Sequence, residues 1–192
     1  DSSFSHCTYL KSFHFQPNSM IQTIGKNSFA FCVIEKFSIP SNLTVINENT
    51  FSSCHRLSMV EIQQNTKIQE IKKNAFSFSI KSFTLPSNVK IIGDEAFDVC
   101  LKLRRFEIPK NSELVSIGMF ALNVSSIESI TIPPHVKFIG NGAFKKCSCL
   151  QIVEIDENSE LEDININMFL GSDNMLLMIP SKLSSFFEFR IF

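Results

Sequence analysis

Six cysteines, four histidines and two glycan-acceptor triplets are the residues of this 192-residue chain that could carry chemistry. Cys7, Cys54, Cys100 and Cys147 each stand three places after a Phe, at spacings of 47, 46 and 47. Spacing that regular raises two possibilities, disulfides or a metal site. Each interval is twice a 23–24-residue repeat, so at ~4.8 Å of travel per repeat the neighbours lie ~9–10 Å apart, beyond the roughly 7 Å Cα limit for a bridge. The four therefore read as small buried thiols. Cys32 falls in an intervening repeat, where a bridge to Cys7 or Cys54 stays open. Cys147-Ser148-Cys149 has neither the two-residue gap nor the partner pair of a zinc site, so no metal is expected. His6, His14, His55 and His135 fall at unrelated repeat phases and adjoin no nucleophile motif. Gly25, Gly93, Gly118 and Gly140 each follow an Ile, where a turn rather than a phosphate-binding loop is expected. The expectation is a protein with no catalytic residues and no cofactor. Of the triplets Asn42-Leu43-Thr44 and Asn123-Val124-Ser125, the first uses an asparagine of the repeat itself, which leaves Asn123 as the candidate glycan acceptor.

The elements that must position these residues come from an internal repeat. Taking Phe15, Ile39, Ile62, Leu85, Ile108, Ile132, Ile155 and Ile179 as anchors, the successive spacings are 24, 23, 23, 23, 24, 23 and 24. Around each anchor the chain reads apolar-x-x-apolar-x-apolar-x-x-Asn, as in Ile34, Phe37, Ile39, Asn42 and in Leu103, Phe106, Ile108, Asn111. His135 and Lys182 replace the Asn in two copies, and Asn174 takes the first apolar place of the last. This is a leucine-rich-repeat grammar. It predicts a short strand at its centre and an Asn bonded to the turning backbone that follows. The second half of each unit reads Ile-x-x-x-Ala-Phe with variations, as in Ile92 to Phe97 and Ile139 to Phe144. That Phe is expected to point into the coil. Units alternate between seven residues from anchor to Ile (Leu85 to Ile92) and nine (Ile108 to Ile117). Length gained on one side of a coil must be lost on another, because every coil has to return the chain to the next strand position.

A single unit cannot bury its own apolar face, so neighbours must share one core and one parallel ladder. The prediction is a single right-handed α/β-type solenoid over residues 1–192, of about eight coils, with a parallel sheet on its concave face. It begins with a partial coil at 1–9 and ends in an irregular segment at 183–192. Strands are expected near 12–15, 36–39, 59–62, 82–85, 105–108, 129–132 and 152–155. The chain starts mid-coil, which predicts an earlier piece. The apolar end, Phe186 to Phe192, is expected to fold over the last coil or to pair with a neighbouring molecule.

Side chains alternate across a strand, so the x positions face outward. The central x reads His14, Ser38, Glu61, Thr84, Glu107, Thr131, Glu154 and Met178 down the stack, with Lys36, Lys81, Arg104, Arg105 and Glu128 beside it. Two readings compete. One is a solvated ladder that keeps like charges one coil apart. The other is a binding strip that uses Lys36, Glu61, Lys81, Thr84, Arg104, Arg105, Glu107, Thr131 and Glu154.

The wording of the repeat is narrower than that of leucine-rich repeats in general. Phe83-Thr84-Leu85-Pro86-Ser87-Asn88-Val89-Lys90-Ile91-Ile92-Gly93-Asp94-Glu95-Ala96-Phe97-Asp98-Val99-Cys100 closely resembles the BspA-like, treponemal class, and Ile132-Pro133 through Cys147 matches as well. The resemblance covers essentially the whole chain. It implies a cell-surface or extracellular module that adheres to host-surface or extracellular-matrix proteins. It carries over no binding residue.

Bulk properties agree with a binding module. The chain is 44% hydrophobic, has 20 Phe and no Trp, and carries a formal charge of −1. Phe fills an interior without needing a hydrogen-bond partner. The absence of a basic excess argues against nucleic acid. No apolar run approaches the roughly 18 residues of a membrane span, so no membrane contact is expected. No export signal is visible in Asp1-Ser2-Ser3-Phe4, which keeps an intracellular scaffold or regulatory protein-interaction domain as the alternative.

Overall fold

The computed structural model describes all residues except Pro17, Asn18, Gln64, Asp163, Asp173 and 187–192; Ser185 and Phe186 are described by backbone alone. The expectation about the apolar C-terminal end therefore lies outside the described residues.

Two strand columns run down the solenoid. The first holds β1 (Lys36–Ile39), β3 (Met59–Ile62), β5 (Ser82–Thr84), β7 (Arg105–Glu107), β9 (Ser129–Ile132), β11 (Ile152–Ile155) and β12 (Leu176–Met178). The second holds β2 (Val45–Ile46), β4 (Glu70–Ile71), β6 (Ile91–Ile92), β8 (Ser116–Ile117) and β10 (Phe138–Ile139). Every pairing among these strands is parallel. Spacing predicted β1, β3, β5, β7, β9 and β11 to within a residue of their boundaries, and β12 is one strand more than was expected. The unit anchored at Phe15 departs, giving only a bridge from Phe13 to Phe37. The last unit ends in a 3-10 turn, Ser181–Phe186. About six turns are regular, against the eight units counted in the sequence.

The α/β description needs correcting on the far side of the coil. Apart from the 3-10 turns Ile166–Phe169 and Ser181–Phe186, no helix occurs among the described residues. Five residues run from Ile to Phe, as from Ile92 to Phe97, room for one 3-10 turn at Ile166–Phe169 but not for an α-helix. Instead, residues two before and two after the repeat Phe adopt left-handed backbone: Asn27 and Phe31, Asn49 and Ser53, Asn74 and Phe78, Glu95 and Val99. Alternating hand turns each peptide sideways, toward the next coil. The amide of Phe29 accordingly donates to Thr50 O (2.9 Å), Phe51 to Ala75 O (2.8 Å), Phe76 to Ala96 O (2.8 Å) and Phe97 to Ala121 O (2.7 Å). Three of these positions are Asn, the non-glycine residue that tolerates this conformation best.

The core is the Phe column. Phe4, Phe29, Phe51, Phe76 and Phe97 stack ring on ring with centroids 5.2–5.7 Å apart. Phe37, Phe83 and Phe106 of the strand column meet them edge-on or tilted at 4.7–5.3 Å. Offset and edge-on contacts suit the ring quadrupole. Phe97 and Phe144 are both fully buried, as expected.

The first strand column is not one continuous sheet. It divides into β1–β3, β5–β7 and β9–β11–β12. The breaks fall between a nine-residue unit and the seven-residue unit that follows it. Leu57 follows Phe51 by six residues and Leu103 follows Phe97 by six, but Ile80 follows Phe76 by only four. Ile80 meets that shortage with φ +41, an unusual conformation for a β-branched residue.

Candidate binding surface

Alternation along the strands exposes Lys36, Glu61, Thr84, Arg105, Glu107, Thr131 and Glu154, while Lys81 and Arg104, also exposed, stand just before β5 and β7. Three carboxylates on this face are held. Ser38 donates to Glu61, Thr84 Oγ1 to Glu107 Oε2 at 3.2 Å, and Thr131 Oγ1 to Glu154 Oε2 at 3.3 Å. Each bond joins two strands of the same sheet. A carboxylate pinned by a neighbour's hydroxyl has already lost part of the rotamer freedom that binding would otherwise cost. Cations occupy the flanking positions. Lys81 and Arg104 lie on adjacent coils, with the Arg104 amide on Lys81 O at 3.1 Å. Arg104 also reaches Glu128 at 3.6 Å, with both side chains exposed, a pair worth about 0–1 kcal/mol. A cleft of about 610 Å³ opens on this face at the break between β3 and β5, with Met59, Thr66, Ser82 and Thr84 among its walls.

The repeat Asn does not do what its sequence position suggested. Asn88 Nδ2 donates to Thr66 O at 2.9 Å, a carbonyl of the preceding coil rather than of its own turn. Asn42 Nδ2 meets Met20 Sδ at 3.7 Å, again on the preceding coil. Asn65, Asn111 and Asn158 are exposed. The turn after the strand is closed by backbone alone, with Leu43 N on Pro40 O, Val89 N on Pro86 O and Ser112 N on Pro109 O at 3.0–3.1 Å, so it does not call on the Asn amide.

All six cysteines are free thiols. Cys32, Cys54, Cys100 and Cys147 donate to the carbonyls of Phe4, Phe29, Phe76 and Leu122, at 3.0–3.2 Å. Each of these carbonyls belongs to the repeat-Phe position of the preceding coil. Ser79, Ser125 and Ser172 stand at the same phase in other coils: Ser172 Oγ donates to Phe144 O at 2.8 Å, Ser79 Oγ to Phe76 O of its own coil at 2.6 Å, and Ser125 Oγ lies 3.3 Å from Cys147 Sγ. The column is thus a ladder of small donors, and Cys32 belongs to it. Its phase, three after Phe29, was the overlooked signal. Burial holds Cys54 and Cys100 in the neutral form, with the thiol pKa pushed up to about 12, and raises Cys32 and Cys147 as well. Such thiols are poor nucleophiles.

The histidines serve separate local roles. His6 stacks on Phe31 at 4.4 Å. His135 Nδ1 meets Glu160 Oε1 at 2.9 Å and, with Lys137, holds the Glu160 carboxyl below its usual range. Among the described residues, no three His, Cys, Asp or Glu side chains gather as a metal site. Asn123 is half-buried, and its Nδ2 donates to Asp98 Oδ1 at 2.8 Å. Burial raises the Asp98 pKa despite that bond. The second strand column, which the sequence reading left without strands, exposes Ile91 and Phe138 to solvent. No helix among the described residues is long and apolar enough to cross a membrane.

Comparison with known proteins bears on this geometry. A family model described as BspA type leucine rich repeat region matches residues 1–81 and 70–189, in six copies. A search of curated proteins finds no significant match. Among solved structures, the pneumococcal vaccine antigen PcpA is similar with a TM-score of 0.64 and 18% identity, over 78% of this chain and 52% of that one. The T. pallidum leucine-rich-repeat protein is similar at 0.50 and 23%, over 82% and 63%. A leucine-rich-repeat protein from Eubacterium ventriosum is similar at 0.53 and 17%, over 78% and 43%. At these identities the likeness is one of fold. The chain spans about half the length of the PcpA structure and under two thirds of the other two.

Proposed function

Since the chain belongs to the BspA-type leucine-rich-repeat family, we propose that it is a protein-recognition module that receives its partner on the first strand column. The observation that carries this reading is the strip of exposed, pre-ordered acceptors Glu61, Glu107 and Glu154, flanked by Lys36, Lys81, Arg104 and Arg105. Charges fixed in place before contact favour a specific protein partner, because complementary fields set register and suppress wrong pairings. Binding rather than catalysis is also the reading that suits the buried thiols and the dispersed histidines.

The fuller proposal is adhesion at a cell surface or outside the cell, to a host or matrix protein. The fold likeness to a vaccine antigen supports it. The test is surface plasmon resonance of the full-length protein over a panel of purified extracellular-matrix proteins. Binding to one of them, weakened roughly tenfold or more by Glu107→Lys with Glu154→Lys, is the expected result. Binding that this pair leaves unchanged would move the site off the strand face.

A second reading, an intracellular scaffold, is favoured by the six free cysteines, exposed Cys149 among them. Unpaired thiols suit a reducing compartment. Antibody labelling of intact against permeabilised cells separates the two readings.

A further inference from the structure

We propose that the returns leading into β3, β5 and β7 form a notch that binds an acidic peptide segment of a protein partner, one with an apolar side chain between its carboxylates. This rests on the reading of the chain as a protein-recognition module, and it names the partner chemistry at one edge of that surface.

The shape follows from loop length. The returns before β3 and β7 each take six residues from repeat Phe to first strand apolar, whereas the return between them, Phe76 to Ile80, takes four. Two longer turns therefore flank a shorter one. Lys81, just past the short return, lines a cleft of about 390 Å³ together with Arg56 and Lys102 of the flanking turns. Lys81, Lys102, Arg104 and Arg105 line a second of about 500 Å³. The two clefts meet at Lys81 and Lys102.

The chain has a formal charge of −1 and only four arginines, and three of them are Arg56, Arg104 and Arg105. Nearby carboxylates are few. Glu35 lines one end of the first cleft, Glu128 is taken by Arg104, and Asp98 is tied to Asn123. Five cations thus outnumber the carboxylates around them, Glu35, Asp98, Glu128 and, two places along β7 from Arg105, Glu107. Arginine is the side chain whose planar fork matches a carboxylate with two parallel hydrogen bonds.

Apolar surface decides the class of polyanion. Phe78, 44% exposed, and Leu101, 63% exposed, line the same notch with His55 and Lys102 at its rim. Phe78 is held in left-handed backbone by the ladder on the far side of the coil, its amide on Asp98 O at 2.9 Å, so its ring stands out from the turn. A sulfated polysaccharide offers cations its charge but has no apolar side chain to cover Phe78 and Leu101. An extended peptide offers both, since its side chains repeat every two residues at ~6.7 Å on one face.

The test uses the whole chain and a fluorescein-labelled peptide in which one phenylalanine is flanked on each side by two glutamates. Anisotropy should report saturable binding that weakens roughly tenfold between 50 and 300 mM salt, as exposed charge pairs are screened. Lys81→Glu and Lys102→Glu should each weaken it roughly tenfold, and Phe78→Ser several-fold, with circular dichroism unchanged. Lys26→Glu, on a distant turn, should leave it unaltered. Several results overturn the proposal: no saturable binding, binding indifferent to Lys81→Glu and Lys102→Glu, or a heparin fragment or single-stranded oligonucleotide binding more tightly than the peptide. If the peptide fails while Glu107→Lys with Glu154→Lys still weakens capture of a matrix protein, the recognition reading stands and this one falls.

Discussion

Thr84 Oγ1 donates to Glu107 Oε2 at 3.2 Å, inside the β5–β7 strand pair and not across the gap on either side of it. Ser38–Glu61 and Thr131–Glu154 obey the same rule. The alternation of Ser or Thr with Glu down the stack is therefore a register of which coils pair. A double-mutant cycle tests this directly. Thr84→Ala with Glu107→Ala should show a coupling of about 0.5–1 kcal/mol, the scale of a solvent-exposed hydrogen bond. Glu61→Ala with Thr84→Ala, which spans the β3–β5 break, should show none beyond the error of urea unfolding. Equal couplings would mean the breaks have no energetic meaning.

The Phe column should carry much of the stability. Phe97 is fully buried between Phe76 at 5.3 Å and Phe106 at 4.9 Å. Phe97→Ala is expected to cost about 3–5 kcal/mol, since the rigid neighbouring coils leave a cavity rather than collapse. Phe78→Ala, on the exposed side of the same turn region, should stay near the ±0.5 kcal/mol usual for surface changes. Urea midpoints measured on both variants check the pair. A Phe97→Ala loss below about 1 kcal/mol would reverse the assignment of inside and outside.

What was legible in the sequence was whatever repeats. Spacing located the first strand column, the outward face and the buried Phe, because each recurs at one phase in every coil. Two things were hidden by the same regularity. The ladder of left-handed turns has no single residue signature: Asn27, Asn49 and Asn74 hint at it, but Glu95, Phe120 and Val124 adopt the same backbone. Inter-coil hydrogen bonding forces that conformation, and it is a tertiary effect. The basic notch was missed because Arg56 and Lys102 sit in returns rather than at strand x positions. Only the clustering of arginine would have marked them.

Left-handed positions make opposite predictions for two residues. Gly142 has φ +67, and a Cβ there would strike the ring of Phe120. Gly142→Ala should therefore lose at least the ~1–2 kcal/mol of the backbone penalty, and more if Phe120 cannot move. Val124 holds φ +53 with a β-branched side chain. Val124→Asn should gain up to about 1 kcal/mol, because Asn enters this region more readily. Thermal melts on the two variants should move in opposite directions. Movement in the same direction would mean packing, not backbone conformation, sets the preference at these turns.

The thiol ladder predicts alkaline weakening. Burial favours the neutral thiol, so Cys54 and Cys100 have folded pKa values of about 12, above the ~8.5 of an unfolded cysteine. The unfolded state releases these protons first as pH rises. The stabilisation is therefore whole below pH ~8 and lost progressively from there toward 12. Between pH 8.5 and 10, each thiol should cost about 1–2 kcal/mol of unfolding free energy. The decisive comparison is with Cys54→Ser, Cys100→Ser. Serine keeps the donor that Ser172 already supplies to Phe144 O, and it does not ionise. Urea unfolding at pH 7.5 and pH 10 should show a smaller drop in the serine variant than in the parent. At pH 8 a disulfide reagent should modify exposed Cys149 quickly and leave Cys54 and Cys100 untouched in the folded protein. An identical pH dependence in parent and variant would show that these thiols are neither as buried nor as neutral as the ladder requires.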